Sequence, residues 1–237
     1  MQVILSASRA LATKIKRDLG HELPRITSLD GKNVGTQSLH SDPQQVAWQC
    51  QYVPAFYRAR HGTVIAIEAF SRYTLLIPAH EQIDTAQLEK SFLKRWPDDL
   101  NYWHAATGSK RKPADEDTQR IIKIEAVHWR TNTDLSINGH IADAEQWLRQ
   151  YLEDHGRDYL SEQHAQDLGW HLNQQRRRAP KGQDASGSFI PYQRLLTLHD
   201  RILTANLSTT ARQIDATASN VIDLAKYRKT SEVLKQD

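Results

Sequence analysis

The chain predicts an α+β fold, and three observations carry that expectation. Polar and apolar residues alternate as in strands between Val46 and Pro78. Apolar residues recur at helical spacing through the last third. A single cysteine leaves packing, not disulfides, to hold the fold. The 237 residues suit one large domain or a domain with an appendage. We expect a single α+β domain over 1–204, helical from about 140, and a flexible tail over 205–237 with a short local helix. An antiparallel β-meander packed against several helices is the expected centre.

Taken in order, residues 2–5 read as a short strand, followed by a helix from about Ser8 to Leu19. Leu11, Ile15 and Leu19 recur at spacing four, and Gly20 stands where a helix ends. Residues 21–43 read as an extended connection. Trp48, Cys50 and Tyr52 then alternate with polar partners as in a half-buried strand. Strands at 63–68 and 73–77 follow, joined through Ala69-Phe-Ser-Arg72 and closed by Pro78. Thr85 is expected to cap a helix that Pro97 stops near Trp96, with Leu88, Phe92 and Trp96 as its buried stripe.

Residues 105–119 read as a charged loop, and 121–129 as another alternating strand. Asn138-Gly139 reads as a turn before a helix striped by Ile141, Ala144, Leu148 and Tyr151. Leu160, His164, Leu168 and Leu172 share a face. Residues 176–188 read as a loop before a helix entered at Pro191, with Leu195, Leu198 and Ile202 pointing inward.

The composition sets broad limits. Only Cys50 could supply a thiolate, which excludes an internal disulfide and any zinc site built on several cysteines; its expected role is a small packed thiol. A basic start followed by a long apolar run is missing at Met1-Gln-Val-Ile-Leu-Ser6. Nowhere do enough apolar residues follow one another to span a bilayer, so a cytoplasmic protein without membrane contact is expected. The net charge of +3 permits nucleic-acid contact without requiring it.

Arg176, Arg177, Arg178 and Lys181 form the densest local charge. They have the chemistry to neutralise phosphates, with Trp170 nearby as a base-stacking ring. Arg58, Arg60 and Arg72 fall near the meander turns and would extend this surface if the fold gathers them. Lys110-Arg-Lys112 would do the same, but the acids at 115–117 weaken its field. His164, Asp167 and His171 lie at i, i+3 and i+7 of one helix, a spacing that favours a helix-edge face over a metal site. Glu68, Glu125 and Asp134 stand at strand ends, where carboxylates can hold Mg²⁺; Glu68 and Asp134 are the alternative catalytic pair. No Walker loop, dinucleotide fingerprint or nucleophile elbow is present, and no cofactor or metal is expected.

Two resemblances follow from these segments. Trp48-Gln-Cys-Gln51, Ile67-Glu-Ala-Phe-Ser-Arg-Tyr73 and Thr133-Asp134 with Asn138-Gly139 resemble the ribonuclease H-like core of integrases and transposases. That family's first catalytic aspartate falls on Gln51, so the resemblance implies an inactive relative. Met1 to Leu19, Trp48 with Arg58-Ala-Arg60, Ser71-Arg-Tyr73 to Pro78, Thr133 to Asn138, Trp170 and Pro191 are together similar to an uncharacterised bacterial domain family of unknown function. This second resemblance extends to about Leu203 and implies an α+β fold but no activity.

The sequence thus favours a non-enzymatic, macromolecule-binding protein that contacts nucleic acid through Arg176 to Lys181. A metal-dependent nuclease or integrase-like enzyme using Glu68 and Asp134 is the first alternative. A protein-binding regulator of toxin–antitoxin or phage-defence type is the second. Its contact would be the tail, where Val221, Ile222, Leu224, Tyr227 and Arg228 combine apolar and charged groups suited to a partner's groove.

Overall fold

A computed structural model describes residues 1–27, 35–55, 60–108, 124–179 and 187–206. Five strands form one mixed sheet: β1 (Gln2–Ala7), β2 (Gln45–Pro54), β3 (His61–Glu68), β4 (Thr74–His80) and β5 (Ala126–Thr131). Their spatial order is β4-β3-β2-β1-β5. β2, β3 and β4 pair antiparallel in sequence order. β1, however, lies parallel to both β2 and β5, so the sheet is mixed and its centre reaches beyond the meander. The cause is the chain between β1 and β2, which holds α1 (Arg9–Leu19) and returns the chain for a parallel pairing.

Strand alternation sorts side chains to two faces. Leu5, Trp48, Ala66 and Leu75 enter one apolar cluster with α1, with α2 (Thr85–Ala106), and with the helix at 191–206, here α5. Ile4, Ala47, Ile65 and Leu76 enter a second cluster with α3 (Leu135–Asp154) and α4 (Glu162–Gln174). Helices therefore cover both sides of the sheet. Among the described residues, no helix is long and apolar enough to cross a membrane. Cys50 is buried, and desolvation pushes its thiol up to about 12.

Helix boundaries depart from the sequence expectation in instructive ways. Ser8 caps α1 and Gly20 ends it with a left-handed φ of 76°. The cap of α2 is Asp84, not Thr85, because its carboxylate accepts from the backbone N–H groups of Ala86 and Gln87. Pro97 does not stop α2, which runs on to Ala106. Leu100 and Trp103 continue the buried stripe, and that burial outweighs the hydrogen bond that proline removes. Likewise Asn138-Gly139 is no turn. It lies inside α3, whose cap is Asp134.

The open edge of β4 is closed by a side chain from α4. Asn173 Oδ1 accepts from Thr74 N at 2.7 Å, and its Nδ2 donates back to Thr74 O at 2.7 Å. Beside it, Asp99 accepts from Tyr73 Oη, Arg95 Nε and Trp170 Nε1. Burial pushes the Asp99 carboxyl up, against the pull of Arg95. The loop expected over 176–188 is, in its described part, a two-stranded ribbon: β6 (Arg177–Arg178) pairs antiparallel with β7 (Ser188–Phe189).

Candidate nucleic-acid interface

Glu68 and Asp134, the alternative catalytic pair, are both buried and both committed to backbone. Glu68 accepts from the N–H groups of Phe70 and Ser71 and from the Ser71 hydroxyl, which closes the β3–β4 turn. Asp134 Oδ1 accepts from Ser136 N at 2.8 Å, and Oδ2 from Leu39 N at 2.7 Å. Gln49 completes this polar centre. Its Nε2 donates to the carbonyls of Ser6 and Asn132, and its Oε1 accepts from Asp134 N at 2.9 Å. A residue expected to be the solvent-facing partner of Trp48 is thus fully buried and ties β1, β2 and the end of β5 together. Among the described residues, no group of three His, Cys, Asp or Glu side chains is placed to hold a metal ion.

Arg72 stands next to this centre with φ 61°, the one non-glycine residue described with a left-handed backbone. Its guanidinium donates to Ala69 O and to Ser136 Oγ, which holds the strained turn against α3. Burial lowers its pKa, while Asp134 and Glu68 raise it.

The arginine ribbon presents a different kind of surface. Alternation along β6 turns Arg177 inward, with its side chain 9% exposed, and leaves Arg176 and Arg178 outward. Arg177 Nη1 donates to His140 Nδ1 at 3.3 Å and stands 3.9 Å from the exposed Asp143 carboxylate. Among the described residues, its buried Nε has no hydrogen-bond partner. Burial, then the charges of Arg177 and Arg72, push His140 down to about 4, so the ring is neutral at pH 7 and accepts from Arg177.

These groups line a concavity of about 510 Å³ between α3, the end of α4 and the ribbon. Its lining holds three arginines against one aspartate, with Gln146, Gln150 and Gln175 as hydrogen-bonding amides. Trp147 forms part of the wall and is 46% exposed. A second concavity of about 290 Å³ continues from Trp147 and Gln150 along the α3–α4 seam to Asp154, Asp167 and His171.

Of the residues singled out in the sequence, Arg176, Arg177 and Arg178 are brought together here. Arg72 approaches only indirectly, through the His140 ring that both guanidinium groups act on. Arg60 is exposed at the opposite end of β3, eight residues from Glu68 and roughly 27 Å away along an extended strand, so it joins no surface with Arg72. Trp170 is no free platform: it stacks on Tyr102 at 3.6 Å and donates to Asp99. His164, Asp167 and His171 bond instead to Ser161, Gln163 and Gln175. Arg58, Lys110 to Lys112, Lys181 and the tail residues Val221, Ile222, Leu224, Tyr227 and Arg228 lie outside the described residues.

The sequence reading missed Trp147, His140 and the glutamines. Trp147 stands outside the Ile141-Ala144-Leu148 stripe, and an aromatic ring on the polar face of an amphipathic helix was the available signal. No protein-family model matches the chain, and no curated protein matches it.

Proposed function

We propose that this protein binds nucleic acid through the concavity between α3, α4 and the arginine ribbon. The observation that carries the reading is Arg177: a side chain nine-tenths buried, flanked by two exposed arginines, in one concavity with an exposed tryptophan. A buried guanidinium whose carboxylate neighbour stands 3.9 Å away gains from a closer anion, and phosphate suits its forked donors. Trp147 adds a stacking face that is indifferent to base identity. A non-enzymatic binding role is part of the same reading, because Glu68 and Asp134 spend their oxygens on turn and cap hydrogen bonds; a cytoplasmic location is proposed alongside it.

The test is a salt series of binding to labelled single- and double-stranded DNA and RNA. Phosphate contacts release counterions, so log affinity should fall linearly with log salt, by about 0.7 to 0.9 per phosphate neutralised. Changing Arg176 and Arg178 together to Glu should weaken binding and flatten that slope. Absence of binding at low salt sinks the proposal. Mg²⁺-dependent cleavage lost in Glu68→Ala would favour the nuclease alternative instead.

A further inference from the structure

The two concavities share Trp147 and Gln150 but carry opposite charge. On the ribbon side stand Arg176, Arg177 and Arg178. On the other side the lining, among the described residues, holds Asp154 and Asp167 and neither arginine nor lysine. Asp154 lies two helical turns beyond Trp147, roughly 10 Å along α3. A strand threaded along the whole seam would bring its next phosphates against those two carboxylates. A strand that ends at Trp147 would not.

Stacking on Trp147 limits the ligand as well: a single strand can turn an unstacked base onto the exposed indole, whereas a duplex keeps its bases stacked on one another. His171 stands against Trp147 edge-on, with ring centroids 5.3 Å apart, which steadies the indole on the acidic side. Gln146 lines the ribbon side and can meet a base edge with its amide, whereas Gln150 Nε2 already donates to Asp154 Oδ1 at 2.7 Å.

We infer that this groove recognises the end of a single nucleic-acid strand, with the terminal base on Trp147 and the phosphate that joins it to the rest of the strand at the Arg176–Arg178 ribbon. The inference rests on the nucleic-acid reading above and sharpens it from a class of polymer to a strand terminus. Asp143 lies on the phosphate side, 3.9 Å from Arg177, and the incoming phosphate takes over its role as counter-ion.

The experiment compares a short linear oligothymidylate carrying a 5′-phosphate, the same strand with a 3′-phosphate, the strand with neither, and its covalently closed circle. Thymidine monophosphate serves as competitor, and Trp147→Ala is measured beside the wild type. Expected is at least tenfold tighter binding of the unphosphorylated linear strand than of the circle, with that preference lost for the one of the two phosphorylated strands whose added phosphate meets the acidic side. Trp147→Ala should remove most of that preference and leave the salt slope unchanged. Equal affinity for circle and linear strand overturns the inference while leaving the nucleic-acid reading intact. Competition by the mononucleotide as strong as by the strand also overturns it, in favour of a free nucleotide as ligand. Failure of every strand to bind at low salt overturns the nucleic-acid reading and this inference together.

Discussion

The polar centre at the strand ends and the arginine-lined groove are built from similar residues and behave oppositely. At the strand ends, Gln49, Asn132, Asp134, Glu68 and Arg72 are buried, and each engages named partners within the chain. In the groove, Arg177 has a side chain only 9% exposed yet, among the described residues, keeps an unpartnered Nε, and Arg176, Arg178 and Trp147 face solvent. A closed network stabilises a fold because every desolvated group has recovered its hydrogen bonds. An open one leaves interaction energy that only a ligand can supply. Charge and residue type do not separate the two regions; satisfaction does.

The sharpest way to break this contrast is to open the closed region. Gln49→Ala removes the partners of two carbonyls and one N–H inside the core and leaves a cavity. We expect a loss of about 3–5 kcal/mol in urea unfolding. A loss below about 1 kcal/mol would mean that water or a shifted side chain replaces the amide. Asp134→Ala, which removes the α3 cap and the Leu39 contact, should cost about 2–3 kcal/mol.

His140 lies between the two regions and responds to both, since Arg177 and Arg72 each disfavour its charged form. Its folded pKa of about 4 is below the ordinary 6.5. Below pH 6.5 the unfolded chain takes up a proton that the folded chain refuses. Stability should therefore fall as pH drops from 6.5 to 4, by about 2 kcal/mol after allowing for partial solvent access. His140→Gln should flatten that segment of the pH profile; an unchanged profile would remove His140 from the account. A phosphate bound at Arg177 offsets one of the two charges acting on the ring. Binding should then take up protons and tighten toward pH 5, with calorimetry in buffers of different ionisation enthalpy as the check.

How far the sequence revealed these regions follows from the same physics. Strand alternation through Trp48 and Cys50 and the spacing of Leu11 and Ile15 encode burial locally, so those elements were readable, although Leu19, expected on the same stripe, is exposed. The place of β1 beside β5 was not, because parallel pairing depends on where a crossover delivers the chain. Pro97 and Asn138-Gly139 carry strong local signals that tertiary burial overrides. The arginine run was visible as charge. Its inward–outward alternation came only from the pairing of Arg177 with Phe189, which made a ribbon of an expected loop. Gln49 and Trp147 mark the two failures of polarity as a guide: the polar residue is buried and the aromatic one is exposed.

That inversion gives the smallest expected effect on the fold. Trp147 lies 46% exposed on α3 and contributes little to the buried stripe of Ile141, Ala144 and Leu148. Trp147→Ala also places the best helix former at an exposed position. We expect its unfolding free energy to stay within about 0.5 kcal/mol of the wild type, with the same denaturant slope. A large tryptophan held at a solvent-facing position without stabilising the fold is accounted for by what it binds. If Trp147→Ala instead costs 2 kcal/mol or more, the ring is a packing element of the α3–α4 seam, and the groove loses its stacking platform.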